Sequence, residues 1–396
     1  MRHVSMIKMV ILSVLSLSAS ADFSIRPNHY RLVLGKLTGV FPLGGEDKTF
    51  CLRDRYLPDN QAKALCYIEN YLSSAGFTNF QREAFSVRGH EPVKIPIKVN
   101  GEKRFGDDED DDDAVLSYDP GHSFNYTPRS DQGINLYTEI SGEVPNEVVI
   151  LGAHYDTTGV GMPGCDDNGT GVASVMTAAR AIKVSGLKPR RTLRFVFFDG
   201  EECGMHGSRT HFVNSKQRGE SIALFNNIDM LGFAPKGVPS VSFDPGLHFK
   251  GLEKFVMDLA LPSSMIFTNW RNHISDNRVG VGLEIPSVSY FEDARKQDGF
   301  KDRYPHYHTA ADTIDKLNME YATEATQVIA SIVVAAAQTE ARWEKVPPPP
   351  VDLNWRPRSE KEEEAGTNPA EESASSGTVK PEKESCGLRL FKRWFH

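Results

Sequence analysis

Residues 147–156 read EVVILGAHYD, residues 165–182 read CDDNGTGVASVMTAARAI, residues 193–202 read LRFVFFDGEE and residues 222–229 read IALFNNID. Val148–Leu151 and Leu193–Phe198 are short apolar runs, the pattern of strands buried on both faces. Between them, Val172–Ile182 carries apolar residues at helical spacing. A further helical stretch follows Gly207, and Ile222–Ile228 is a third strand pattern. Strands alternating with helices predict an α/β fold, with a mixed, largely parallel central sheet flanked by helices on both faces. Function in such sheets gathers beyond the carboxyl ends of the strands. His154, Glu201, Glu202 and Asp229 each fall just after a strand pattern.

Outward from this centre, residues 58–76 read as a helix. Ala62, Leu65, Ile68, Tyr71 and Leu72 recur at helical spacing, and Gly76 supplies the stop. Phe80–Val87 and Pro286–Phe291 read as strands. Asp315–Ala341 reads as a long final helix, with Leu317, Tyr321, Val328, Ile329, Ile332 and Val333 on its buried face. Residues 22–346 are expected to form a single domain. The chain has 396 residues, 39% of them hydrophobic, enough for one large core or two small ones. Its formal net charge of -8 offers no broad basic surface, so nucleic acid is not an expected partner.

The two ends read differently. Arg2, His3 and Lys8 precede or begin an apolar run, Met9–Leu17, and Ala19-Ser20-Ala21 is a small-x-small cleavage pattern. Residues 1–21 are therefore expected to be a signal peptide, too short in its apolar run to anchor in a bilayer. Export follows as an expectation. Asp107–Asp113, in a loop over 106–113, is an unbroken acidic run; it lacks the glycine and spacing of a calcium loop and reads as solvated. Asn125-Tyr126-Thr127 matches a glycosylation acceptor. Pro347–Pro350 opens a tail, residues 347–396, rich in Glu, Ser, Lys and Pro and expected to be disordered. Its end mixes Leu388, Leu390, Phe391, Trp394 and Phe395 with Arg389, Lys392 and Arg393. That mixture suits a loosely tethered tail, or weak contact with a membrane or partner.

Five cysteines leave at least one unpaired within the chain. Cys51 can pair with Cys66 in an oxidising compartment. Cys165 and Cys203 lie beside the acidic motifs, where packing, a disulfide, oxidation and metal contact are all open; packing is the expectation.

The acids and histidines are of the types that hold zinc, which accepts imidazole nitrogen and carboxylate oxygen. Two metals sharing a site need a bridging carboxylate and terminal ligands on each side. In His154-x-Asp156 the spacing of two puts both side chains on one face of an extended segment, so Asp156 can hold the far ring nitrogen of His154. Adjacent glutamates, Glu201-Glu202, can divide labour between binding metal and moving protons.

Together, Gly152-Ala153-His154-Tyr155-Asp156, Cys165-Asp166-Asp167-Asn168-Gly169-Thr170-Gly171, Asp199-Gly200-Glu201-Glu202-Cys203-Gly204-Met205-His206-Gly207-Ser208, Asn227-Ile228-Asp229-Met230 and Tyr307-His308-Thr309-Ala310-Ala311-Asp312-Thr313 resemble the co-catalytic dizinc aminopeptidase family. That family includes secreted bacterial leucine aminopeptidases, glutamate carboxypeptidase and glutaminyl cyclases. The resemblance spans roughly residues 58–340 and implies a zinc-exopeptidase-like fold. It implies two Zn2+ ions, His154 and Asp229 completing one site, Glu202 and His308 the other, and Asp167 bridging. It further implies Glu201 as general base towards a metal-bridging water, Asp156 as the residue orienting His154, and a cis peptide at Asp167–Asn168. His306 rivals His308, but the residues after His308 match the family. Tyr307 is open between oxyanion support and packing.

The expected activity is hydrolysis of N-terminal residues from peptides. A carboxypeptidase on the same scaffold would need cationic groups for a substrate carboxylate, for which Arg271, Arg278 and Arg295 are candidates. A glutaminyl cyclase typically uses one zinc, against the complete ligand set here. An inactive receptor homologue would be expected to have lost ligands or the base, and this chain keeps each position.

Overall fold

In the computed structural model, the described residues are 24–43, 58–86, 132–159, 161–234, 240–244, 249–260, 263, 265–269, 275–292 and 304–345. The expected signal peptide, Cys51, the acidic run, Asn125, Arg271, Arg295 and the tail expected over 347–396 lie outside them. The described residues all belong to one compact unit.

Eight strands form one sheet: β1 (Phe80–Ser86), β2 (Gln132–Ile140), β3 (Val144–His154), β4 (Arg191–Phe198), β5 (Ser221–Ile228), β6 (Ser240–Asp244), β7 (Ile266–Asn269) and β8 (Ser287–Glu292). Their spatial order is β1-β2-β4-β3-β5-β8-β6-β7. The central neighbours β4, β3, β5 and β8 run parallel, while β1–β2, β2–β4 and β6–β8 are antiparallel. The mixed, largely parallel sheet expected from the alternating pattern is present. Every residue of β4 is buried, as for a strand covered on both faces.

Seven helices complete the described fold: α1 (Pro27–Leu37), α2 (Pro58–Ser73), α3 (Gly171–Val184), α4 (His206–Gln217), α5 (Leu252–Ala260), α6 (Asn277–Gly282) and α7 (Met319–Gln338). On one face α3 and α7 pack against β3 and β4, with α1 against both helices; α4 and α6 pack on the other. Under α4 the rings of Phe198, Phe212 and Phe225 meet edge to face, with centroids 5.0–6.1 Å apart. Gly152 lies beneath this cluster, where a Cβ would come within 2.6 Å of the Phe198 ring.

Two readings change in detail. The final helix does not start at Asp315. Ile314–Lys316 forms a single tight turn, Leu317 is extended, and α7 begins after Asn318, whose side chain accepts the Tyr321 N–H at 3.0 Å. Asparagine is a strong helix cap, and here it sets the start. Leu317 thus packs against the core from outside the helix. In α2, Ala62 is exposed, and Ala64 joins Leu65, Ile68 and Leu72 in the core.

At the β1 edge, the Glu83 carboxylate accepts from His211 Nδ1 (2.8 Å), Arg218 (3.1 Å) and Asn135 (3.3 Å). Burial opposes its ionisation, but these donors hold its pKa down to about 2. The edge strand is thereby tied to β2 and α4 through one buried charge.

Candidate metal centre

The parallel strands end side by side, and their carboxyl ends deliver the expected residues to one place. His154 closes β3, Glu201 and Glu202 follow β4, and Asp229 follows β5. Asp167 comes from the turn Cys165–Thr170 before α3, and His308 from the loop before α7.

Asp167 lies between two groups. Its Oδ1 is 3.4 Å from His154 Nε2, which is also 3.4 Å from Asp229 Oδ1. Its Oδ2 is 2.9 Å from His308 Nε2, which is 3.2 Å from Glu202 Oε2. One donor atom each of His154, Asp167 and Glu202 lies within 4.8 Å of the others. Glu201 faces the same space, with Oε2 3.9 Å from His154 Nε2. A small cleft opens beside Asp167 and His308, lined also by Thr158, Met162, Gly164, Thr309 and Asp312.

The electrostatics of this cluster are unbalanced. Five carboxylates, those of Asp156, Asp167, Glu201, Glu202 and Asp229, face two imidazoles. Burial, and then the neighbouring Asp167, push Glu202 up to about 7. Burial pushes Glu201 well above the usual carboxylate range, with Glu202 and Asp229 adding to it. Burial disfavours charge on His308, yet Glu202 and Asp167 drive its pKa up to about 10. Both ring nitrogens of His154 and Glu202 Oε1 are buried without a hydrogen-bond partner. Buried polar atoms are seldom left so. Nitrogen and carboxylate donors converging with surplus negative charge fit a divalent cation of the zinc type.

Asp156 does more than the sequence suggested. Its Oδ1 lies 3.5 Å from His154 Nδ1, facing the ring as expected but beyond a normal hydrogen bond. Its two oxygens also accept the backbone N–H groups of Glu201 (3.1 Å) and Glu202 (3.2 Å). One carboxylate therefore faces the His154 ring and holds the glutamate pair.

The Asp167–Asn168 peptide is cis, as the resemblance implies. The turn around it is fixed by Asp312, a residue with no role in the ligand set above. Asp312 accepts the N–H groups of Asp166 (2.8 Å) and Asp167 (3.1 Å) and the Tyr304 hydroxyl (2.9 Å). Asp312 was visible only as part of the motif after His308. The same turn is stitched to the segment carrying Asp229: Asn168 Oδ1 accepts the Met230 N–H, Thr170 Oγ1 that of Leu231 and Asp166 Oδ1 that of Gly232. Asp166 thus serves the backbone, while Asp167 faces the histidines. Asp276, just before α6, is a further buried acid that sequence reasoning missed; burial pushes it up to about 7. No spacing in the sequence links it to the other ligand-type residues.

Three of the four described non-glycine residues with positive φ flank the site: Met205 (55°), Met230 (60°) and His308 (56°). Such backbone persists where the surroundings enforce it, commonly at functional positions. His308 reaches the acids, whereas the His306 ring packs edge-on against Tyr304 at 5.5 Å. Tyr307 stacks on His308, with centroids 3.6 Å apart. Cys66, Cys165 and Cys203 form no disulfide. Cys165 packs in the core, and the Cys203 thiol donates to the Gly200 carbonyl at 3.6 Å. Arg278 faces buried Asp244 at 3.3 Å.

Comparison with known proteins gives a consistent set. The model of peptidase family M28 matches residues 135–333. A probable leucine aminopeptidase 1 from Trichophyton verrucosum is 32% identical over 277 residues, 63% of this chain and 66% of that protein. The chain spans about half to two thirds of the length of this and two other similar curated relatives. Among solved structures, the LapA aminopeptidase of Legionella pneumophila shares the fold with a TM-score of 0.57 at 18% identity, covering 85% of this chain and 76% of that one. A zinc aminopeptidase from Bacillus subtilis gives a TM-score of 0.57 at 14% identity, covering 80% and 97%.

Proposed function

This chain belongs to peptidase family M28, and from that premise we propose that it is an exported zinc aminopeptidase, removing residues from the amino ends of peptides. His154 and Asp229 would hold one metal ion and Glu202 and His308 the other, with Asp167 shared between them. The observation that carries this reading is the division of Asp167: one oxygen turns to His154 and the other to His308. Zinc, when bound, supplies Lewis-acid polarisation of water and of a peptide carbonyl.

The protein's own residues do the rest. Glu201, buried and with its pKa raised, accepts a proton from the attacking water and returns it to the leaving amine. Asp156 holds the N–H groups of Glu201 and Glu202 and so fixes where that proton is taken. Tyr307, stacked on His308, limits rotation of that ring. Arg278, one candidate for binding a carboxylate, already faces Asp244. Export rests on the pattern of residues 1–21, and peptide amino ends are the proposed partner.

A panel of chromogenic amino-acid amides, run beside N-acetylated and carboxyl-blocked peptides, tests the substrate class. Cleavage is expected only with a free amino group and regardless of the carboxyl end. Dependence on a free carboxylate would replace this reading with a carboxypeptidase, and cyclisation of N-terminal glutamine without peptide cleavage would replace it with a glutaminyl cyclase.

A further inference from the structure

Glu201 and Glu202 lie in a segment that leaves β4 at Phe198 and enters α4 at His206. Inside it, the Met205 N–H donates to the Glu201 carbonyl at 2.9 Å and the His206 N–H to the Gly200 carbonyl at 3.0 Å. Asp156 holds its tip. Its base is closed by one side chain from β2. Asn135, fully buried, accepts the Asp199 N–H with Oδ1 at 3.1 Å and donates from Nδ2 to the Gly207 carbonyl at 2.8 Å.

The two ends of the segment approach so closely that a Cβ on Gly207 would lie 2.2 Å from the Asp199 carbonyl and 2.4 Å from Asn135 Oδ1. No residue but glycine fits there. Asp199 is pinned in turn, its Oδ2 accepting the Ile134 N–H at 2.9 Å and Gln61 Nε2 at 2.6 Å. A primary amide suits the task at 135 because it offers an acceptor and a donor from one planar group.

We infer that Asn135 is a positioning residue for the reaction, clamping both ends of the glutamate segment so that Glu201 meets the substrate in one orientation. The inference rests on the reading of Glu201 as the proton carrier. An aspartate at 135 keeps the oxygen that meets Asp199 but sets a second oxygen against the Gly207 carbonyl and, 3.3 Å away, against Glu83. It opens the clamp at one end only.

The test compares Asn135→Asp, Asn135→Ala and Glu201→Gln in the full chain loaded with zinc. Hydrogen exchange is followed at the amides of residues 200–207, and kcat and KM are measured on an amino-acid p-nitroanilide. For both Asn135 variants, exchange in 200–207 is expected to rise at least tenfold while β3 and β5 keep their protection. Their kcat is expected to fall on the order of 10²-fold with KM within about threefold, since a small misplacement of a reacting group costs that much. Unchanged exchange in 200–207, or a kcat within twofold of wild type, overturns the inference. So does loosening confined to the β1–β2 edge, which is what a purely structural residue would give. Full activity of Glu201→Gln would instead remove the base assignment, while the exchange pattern still judges the clamp.

Discussion

Glu201→Gln is expected to lower kcat by roughly 10³-fold and to leave zinc content and KM near wild type. The side chain faces the cluster without being one of the five proposed ligands; its Oε2 lies 3.9 Å from His154 Nε2. Glutamine has nearly the same shape, so packing is preserved and only the basic oxygen is lost. Burial and the adjacent acids raise the affinity of Glu201 for a proton, the property wanted in a group that takes one from water and then gives it up. Steady-state kinetics on the amide substrate, with metal analysis of the same sample, read both halves. A variant that keeps zinc and full turnover would remove Glu201 from the mechanism.

Asp167→Asn should be as damaging for a different reason. It removes the charge that both histidines face, 3.4 Å and 2.9 Å away. The amide cannot offer two anionic oxygens, so neither metal position keeps its shared ligand. Zinc retained after dialysis should fall well below that of the wild type, and activity by more than about 10³-fold. The fold should hold, because the turn is fixed by backbone N–H groups on Asp312 and by the Asn168 and Thr170 side chains rather than by the Asp167 carboxylate. Retention of wild-type zinc by a folded Asp167→Asn chain would rule out a bridging role.

Much of the fold was legible because the central strands are buried on both faces, and such strands advertise themselves as apolar runs. Val148–Leu151, Leu193–Phe198 and Ile222–Ile228 all lie in neighbouring strands. The flanking elements were harder to read. In β2, Leu136, Tyr137 and Thr138 are consecutive buried residues among polar neighbours, so neither alternation nor a clean apolar run marks the strand. β7 is only four residues long. Helix α1 carries Arg31, an exposed Leu32 and Lys36 between its buried positions, and its core-facing side becomes evident only against α3 and α7.

The residues drawn together at the site were legible for another reason: each follows a strand or opens a turn, and the order of acids and histidines constrains their chemistry. The supporting residues were not. Asn135, Asp199, Asp312 and Asp276 act or lie where they do through contacts made by the folded chain, and an isolated asparagine in a strand or an aspartate before a short helix carries no local signal. Asp156 was half read. Its spacing from His154 pointed to the imidazole, while its bonds to the Glu201 and Glu202 amides depend on β3 and β4 lying side by side.

The most direct test of the central claim is anomalous scattering at the zinc edge from crystals of the zinc-loaded chain. Two peaks about 3.5–4 Å apart are expected, one against His154, Asp167 and Asp229 and the other against Asp167, Glu202 and His308. A single peak, or zinc bound away from Asp167, would contradict a shared two-metal site.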